Sequence, residues 1–189
     1  VTPDDVGGIP DVIGLGLRLL FCGINPGLLS ASSGHHFARP GNRFWKALAG
    51  AGITDRLLKP SEQGELLRFG VGITNLVDRP TAGAGEVGKD ELRQGGLLLA
   101  AKVAELGPTV VAILGMQAYR TAFNDPRAAI GPQPIPLGDT AVWLLPNPSG
   151  LQARYQLAEL TELFRAAWVA SGPSAPPAPS GPPGAQDSA

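Results

Sequence analysis

The chain has 189 residues, with 15 basic and 16 acidic side chains, so a formal charge of -1 offers no global basic field to attract nucleic acid. Any such partner would need a local footprint. One cysteine, Cys22, excludes an internal disulfide and a cysteine-based metal site, and two histidines, His35 and His36, are too few for a zinc site built on several imidazoles.

No apolar stretch is long enough to span a bilayer, so no membrane association and a cytoplasmic, reducing setting are expected. Residues 1–16 carry proline, glycines and clustered aspartates and are expected to form a flexible lead-in. Leu17 to Gly23 reads as a short apolar strand stopped by Asn25-Pro26-Gly27. Residues 28–44 read as a loop dense in short polar side chains around Phe37, with His35 and His36 as surface residues. Asn42 is placed to cap a helix through Phe44, Trp45 and Leu48.

Glu62 to Phe69 suggests a short helix, Gly72 to Val77 a second strand, and Asp90 to Leu106 a long helix with Asp90 as its cap. Thr109 to Leu114 is a β-branched and apolar strand leading through Gly115 into a helix over Met116, Tyr119 and Phe123. A proline-rich loop precedes a fourth strand, Ala141 to Leu145, and a last helix runs from about Tyr155 to Ala170. Residues 171–189 are almost entirely Ser, Gly, Pro and Ala and are expected to be a disordered tail, since they cannot offset their ordering entropy.

Apolar strands alternating with helices imply one domain over residues 17–170, an α/β/α sandwich around a mostly parallel sheet. Ligands bind such sheets beyond the carboxyl ends of the strands. Two polar loops, Asn25-Pro26-Gly27 and Asn147-Pro148-Ser149-Gly150, follow strands directly and can converge there. Asn25 offers an acceptor and a donor on a rigid support, for a water or a polar ring edge; closing its own turn is the simpler role. In the second loop, backbone amides and the Ser149 hydroxyl could seat a phosphate, with Leu151 as a wedge into a base stack. Phe37 is either a core anchor or a stacking platform. Arg39, Arg43 and Arg154 are candidates for phosphate contacts, although Arg43, at a helix start, could equally pack against that helix.

Phe21-Cys22-Gly23-Ile24-Asn25-Pro26-Gly27-Leu28, then Phe37-Ala38-Arg39-Pro40-Gly41-Asn42-Arg43-Phe44-Trp45-Lys46, resembles the first signature region of the mismatch-specific uracil/thymine DNA glycosylases. These are the double-strand-specific branch of the uracil-DNA glycosylase superfamily. Leu76-Val77-Asp78-Arg79-Pro80-Thr81 resembles their middle block and Leu144-Leu145-Pro146-Asn147-Pro148-Ser149-Gly150-Leu151 their closing block. The resemblance implies a four- or five-stranded, mostly parallel core. It also implies hydrolysis of the N-glycosidic bond of uracil opposite guanine, with thymine and 3,N4-ethenocytosine as further substrates. The expected partner is double-stranded DNA carrying a mismatched or damaged pyrimidine, met by a monomer without metal or other cofactor.

By that resemblance Asn25 positions the attacking water, Ile24 and Phe37 form the base pocket, and Ser30 lies near the pyrimidine C5. Asn147 supports the flipped nucleotide, and Gly150 and Leu151 form the wedge. Two departures stand out: Arg154 lies one residue farther from the wedge than the family's arginine, and Asn75 stands where a bacterial pattern has lysine. Asp78 is a second, tentative base, with pairing to Arg79 or capping of the adjacent turn as its simpler role. Activity on other deaminated bases or on single-stranded uracil, and a non-catalytic lesion-binding module, are the alternatives. A nucleotide-binding protein ranks last, for want of a phosphate-loop lysine or a dinucleotide glycine fingerprint.

Overall fold

The computed structural model describes residues 7–151 and 154–172. Five strands form one sheet: β1 (Leu19–Gly23), β2 (Val71–Asn75), β3 (Val110–Leu114), β4 (Gly131–Pro132) and β5 (Ala141–Leu145), in the order β2-β1-β3-β5-β4. All neighbours run parallel except the short edge strand β4, antiparallel to β5. Helices α1 (Leu28–Ser33), α2 (Phe44–Gly50), α3 (Lys89–Leu106), α4 (Met116–Ala122) and α5 (Leu157–Ala170) accompany it, with a 3-10 segment at Pro60–Phe69. The expected α/β/α sandwich is therefore the observed architecture.

Alternation along each strand divides the core in two. Leu19, Phe21, Val71, Ile73, Val110, Ala112 and Leu114 meet Phe44 and Leu48 of α2 and Leu160 and Phe164 of α5. The intervening Leu20, Cys22, Val111, Ile113, Val142 and Leu144 meet Leu92, Leu99 and Val103 of α3 and Ala118 and Tyr119 of α4. Burying each such large side chain stabilises the fold by about 1.5–3 kcal/mol. Full burial on both faces explains why β1 and β3 read as nearly unbroken apolar runs.

Several expectations need correction. From Gly7 the opening segment is packed: Ile9 and Val12 are buried, and Val12 exchanges two backbone hydrogen bonds with Ile73 at the open edge of β2. Asp11 pairs with Lys102, which also donates to Thr74 Oγ1. Edge pairing and that ion pair hold a stretch whose composition suggested freedom. Residues 28–44 contain α1, closed by Gly34 in a left-handed conformation. The cap of α3 is Gly88, whose N–H donates to Glu91, while Asp90 lies in the first turn and pairs with Arg93. At the other terminus Ser171 is buried and donates to Trp168 O; residues 173–189 lie outside the described part.

Candidate active site

A cavity of about 160 Å3 opens where β1, β2 and β5 end, lined by the loops after β1 and β5 and by Phe37, Asn75 and Thr81. It is smaller than the roughly 300–1,000 Å3 of sites for drug-sized ligands and suits one small planar ring.

Asn25 sits in its wall with the amide nitrogen fully engaged. Nδ2 donates to Thr81 Oγ1 at 2.7 Å, to Arg79 O at 2.9 Å and to Pro26 O at 3.3 Å. Thr81 Oγ1 donates onward to Gly83 O at 2.8 Å, so it can only accept from Asn25. Backbone bonds Thr81 N to Pro26 O and Leu28 N to Thr81 O fasten the two segments together. The carboxamide is therefore held in one sense, with Oδ1 as its remaining acceptor. This differs from an asparagine that merely closes its own turn.

Asn75 ends β2 directly beside Gly23 of β1. It is 8% exposed, and its carboxamide hydrogen-bonds to no described residue while lining the cavity. Its amide atoms are open to the cavity, so a ligand edge entering there can take up both the donor and the acceptor. Phe37, at φ 54°, stacks on Phe44 with ring centroids 4.0 Å apart, and Phe44 packs edge-on against Phe21 and Trp45. Phe37 is thus both core anchor and cavity wall: the outermost ring of an aromatic stack rooted in the sheet. Ser30 is buried, and its Oγ accepts from Ala38 N–H at 3.1 Å, while Ile24 and Arg39 complete the near rim.

His36 is not a surface residue. It is 2% exposed, with Nε2 3.1 Å from Pro10 O, its N–H on Gln63 Oε1 and its carbonyl accepting from Trp45 Nε1. Burial pushes its pKa below the ordinary 6.5, against a smaller opposing effect of the Pro10 carbonyl. A neutral ring with the proton on Nε2 satisfies that contact.

In the closing loop Asn147 Oδ1 accepts from Ser149 N–H at 2.9 Å, and Ser149 Oγ accepts from Leu151 N–H at 3.3 Å. Leu151 is 75% exposed at the cavity mouth. Arg43 does not point to solvent but reaches into this loop, donating to the carbonyls of Pro148, Ser149 and Tyr155. Arg154 lies over the Tyr155 ring, 5.6 Å from its centroid, and lines a neighbouring cavity that shares Ile24 and Asn147 with the first.

Asp78 is not brought to the site. Its exposed side chain lines a different cavity with Gly8, Ile9, Pro10 and Asp11, and Arg79 forks onto Glu91. The middle block contributes Thr81 instead, a role the sequence reading did not assign although the residue lies inside the block. Among the described residues no three His, Cys, Asp or Glu side chains gather to hold a metal.

The fold matches that of a candidate uracil DNA glycosylase from Methanosarcina acetivorans, solved by solution NMR, with a TM-score of 0.56. The match covers 86% of this chain and 98% of that one, and at 17% identity it is a likeness of fold. The family model described as "Uracil DNA glycosylase superfamily" matches residues 10–170, most of the chain and every element described above. This chain therefore belongs to the uracil DNA glycosylase superfamily.

Proposed function

We propose that the chain is a monofunctional DNA glycosylase that removes uracil opposite guanine from double-stranded DNA, with thymine and 3,N4-ethenocytosine as secondary substrates. One observation carries the reading: the Asn25 carboxamide is locked by Thr81 and Arg79 O so that only Oδ1 is left to accept. That is the arrangement needed to hold a water by one of its hydrogens.

A mismatched nucleotide flips at reduced unstacking cost and enters the cavity. Its ring stacks on Phe37, its polar edge meets the Asn75 amide, and Leu151 fills the gap left in the duplex. The bond from sugar C1′ to the base nitrogen breaks, its electron pair leaving with the pyrimidine. Donors around the ring stabilise that anion. The water held on Asn25 Oδ1 bonds to C1′, and its proton passes to the departing base or to solvent. A neutral amide positions this water and removes no proton. The product is an abasic site, formed by a monomer in the cytoplasm without cofactor.

Single-turnover release of uracil from a duplex with guanine opposite it tests the reading. Asn25→Ala should slow release by about 100-fold, the order of loss for a misplaced reacting group. Asp78→Asn should leave the rate unchanged. A native chain that binds the mismatch but never releases the base would instead be a lesion-binding module. A broader substrate range is favoured by Asn75, whose amide can meet a uracil edge whatever stands opposite; release from single-stranded or adenine-paired uracil is the test.

A further inference from the structure

We propose that Arg43 is the positioning residue of the wedge: one guanidinium holds both ends of the 148–155 excursion and thereby presets Leu151 for insertion. The proposal rests on the glycosylase reading of that loop. Four bonds donated to described residues make the clasp. Arg43 N–H and Nε both reach Pro148 O, at 3.0 and 3.4 Å, one Nη reaches Ser149 O at 2.6 Å, and the other reaches Tyr155 O. These partners stand 105 to 112 residues away in sequence.

The planar fork matters here. Guanidinium spreads five donors over a rigid plane and reaches three separated carbonyls at once; an ammonium has three donors, but all at one point. A second contact fixes the same surface: a Cβ built on Gly150 would lie 2.7 Å from Gly41 O, so the wedge loop lies directly against the segment that carries Arg43. With Ser149 O turned toward Arg43, the trans peptide turns Gly150 N–H the opposite way, away from the clasp. Holding the loop in advance removes the ordering cost otherwise met when the wedge enters DNA. It also keeps Leu151 exposed rather than collapsed on the protein.

The obvious rival is that Arg43 contacts a phosphate. Arg43→Lys and Arg43→Met separate the two. A clasp predicts that both variants slow single-turnover uracil release alike, by about tenfold or more, with affinity for undamaged duplex and its salt dependence unchanged. It also predicts that Arg43→Met adds little to Leu151→Ala, since both then remove one function. A phosphate contact predicts that lysine substitutes for arginine, and that Arg43→Met lowers the salt slope by about one; that result overturns the clasp, as does full additivity with Leu151→Ala. Hydrogen exchange of the free protein gives a readout independent of catalysis. Amides of residues 149–151, 154 and 155 should exchange faster in both variants while α2 and the sheet keep their protection. Unchanged exchange in that loop overturns the proposal. A native chain without glycosylase activity sinks the functional reading instead, while the exchange result still judges the clasp.

Discussion

Alanine at Gly23 probes the role of Asn75 without altering Asn75 itself. The two residues are paired across β1 and β2, and a Cβ on Gly23 would lie 2.4 Å from Asn75 Oδ1. The same atom would sit 3.5 Å from Phe37 Cζ, an ordinary contact, so the aromatic wall stays in place. The carboxamide must retreat by roughly 0.6 Å merely to reach 3.0 Å, the lower limit of real Cβ contacts. Misplacement of a substrate-contacting group by an ångström costs on the order of 100-fold. A retreat of this size is therefore expected to slow uracil release by about 10- to 100-fold. Because the obstacle is the end of a side chain, stability should fall by about 1 kcal/mol or less, a shift of roughly 2–4 °C in melting temperature. The assay is single-turnover release from guanine–uracil duplex, run on Gly23→Ala, Asn75→Ala and the double variant. If Asn75 meets the base, Gly23→Ala should cost almost nothing once Asn75 is alanine. A Gly23→Ala protein that works at the native rate, or an equal loss in both backgrounds, would refute the reasoning.

Two further outcomes follow from charge. Among the described residues Arg56, Arg68, Arg79, Arg93, Lys102 and Arg165 pair with carboxylates, while Arg39 and Arg154 line the two cavities at the rim, where a duplex phosphate would pass. Duplex binding should then show a log–log salt slope of about -2, and a slope steeper than about -4 would mean a phosphate footprint lies elsewhere. His36 supplies a pH dependence. Its folded pKa is depressed below 6.5 by burial, so the unfolded chain binds the proton more readily. Its contribution is complete above pH 6.5 and is lost as pH falls through the folded value. Glu62 and Glu91, held to about 2 by Arg56 and Arg79, do not titrate in this window. The melting temperature should fall between pH 7 and 5, and His36→Gln should flatten that slope; an equally steep slope in the variant would exclude His36 as its source.

The sheet was legible because both its faces are covered. β1, β3 and β5 each fall inside an expected apolar run, and the loops after β1 and β5 were placed at the carboxyl ends where the cavity lies. Strand β4 was not legible: two residues, one a proline, owe their conformation to pairing with Trp143 and Leu144. Helix α1 was hidden because six residues are too few to show an apolar period, and its start is fixed by Gly27 pairing with Thr81 far along the chain. Within the site, Asn25, Phe37, Asn75 and Asn147 could be picked out because each lies in or next to a recognisable block. The tasks of Thr81 and Arg43 depend on partners 56 and more than 100 residues distant, which no local pattern encodes. Asp78 shows the converse. Membership of a block gave proximity in sequence, but the chain leaves β2 at Asn75 and carries Asp78 round to the opening segment instead.

The surroundings of Asn25 also explain why an amide stands where a carboxylate would be the stronger base. Three acceptors face Nδ2, and two of them, Arg79 O and Pro26 O, are carbonyls that can never donate. A carboxylate oxygen placed there would face both carbonyl dipoles. The Thr81 hydroxyl could turn to donate only by releasing Gly83 O. One recovered hydrogen bond against two repulsive contacts favours the protonated acid, whose O–H can serve Arg79 O as the amide does. Asn25→Asp should therefore carry a carboxyl with its pKa raised above the ordinary aspartate value of about 3.9. Its base form, the one able to accept a proton from water, is filled only as pH rises through that elevated value. Release by Asn25→Asp should climb with pH across the acidic to neutral range, while the native rate stays nearly flat there. A variant already at its full rate at pH 5 would mean that the loop accommodates a carboxylate. The choice of asparagine would then need a cause outside this hydrogen-bond polarity.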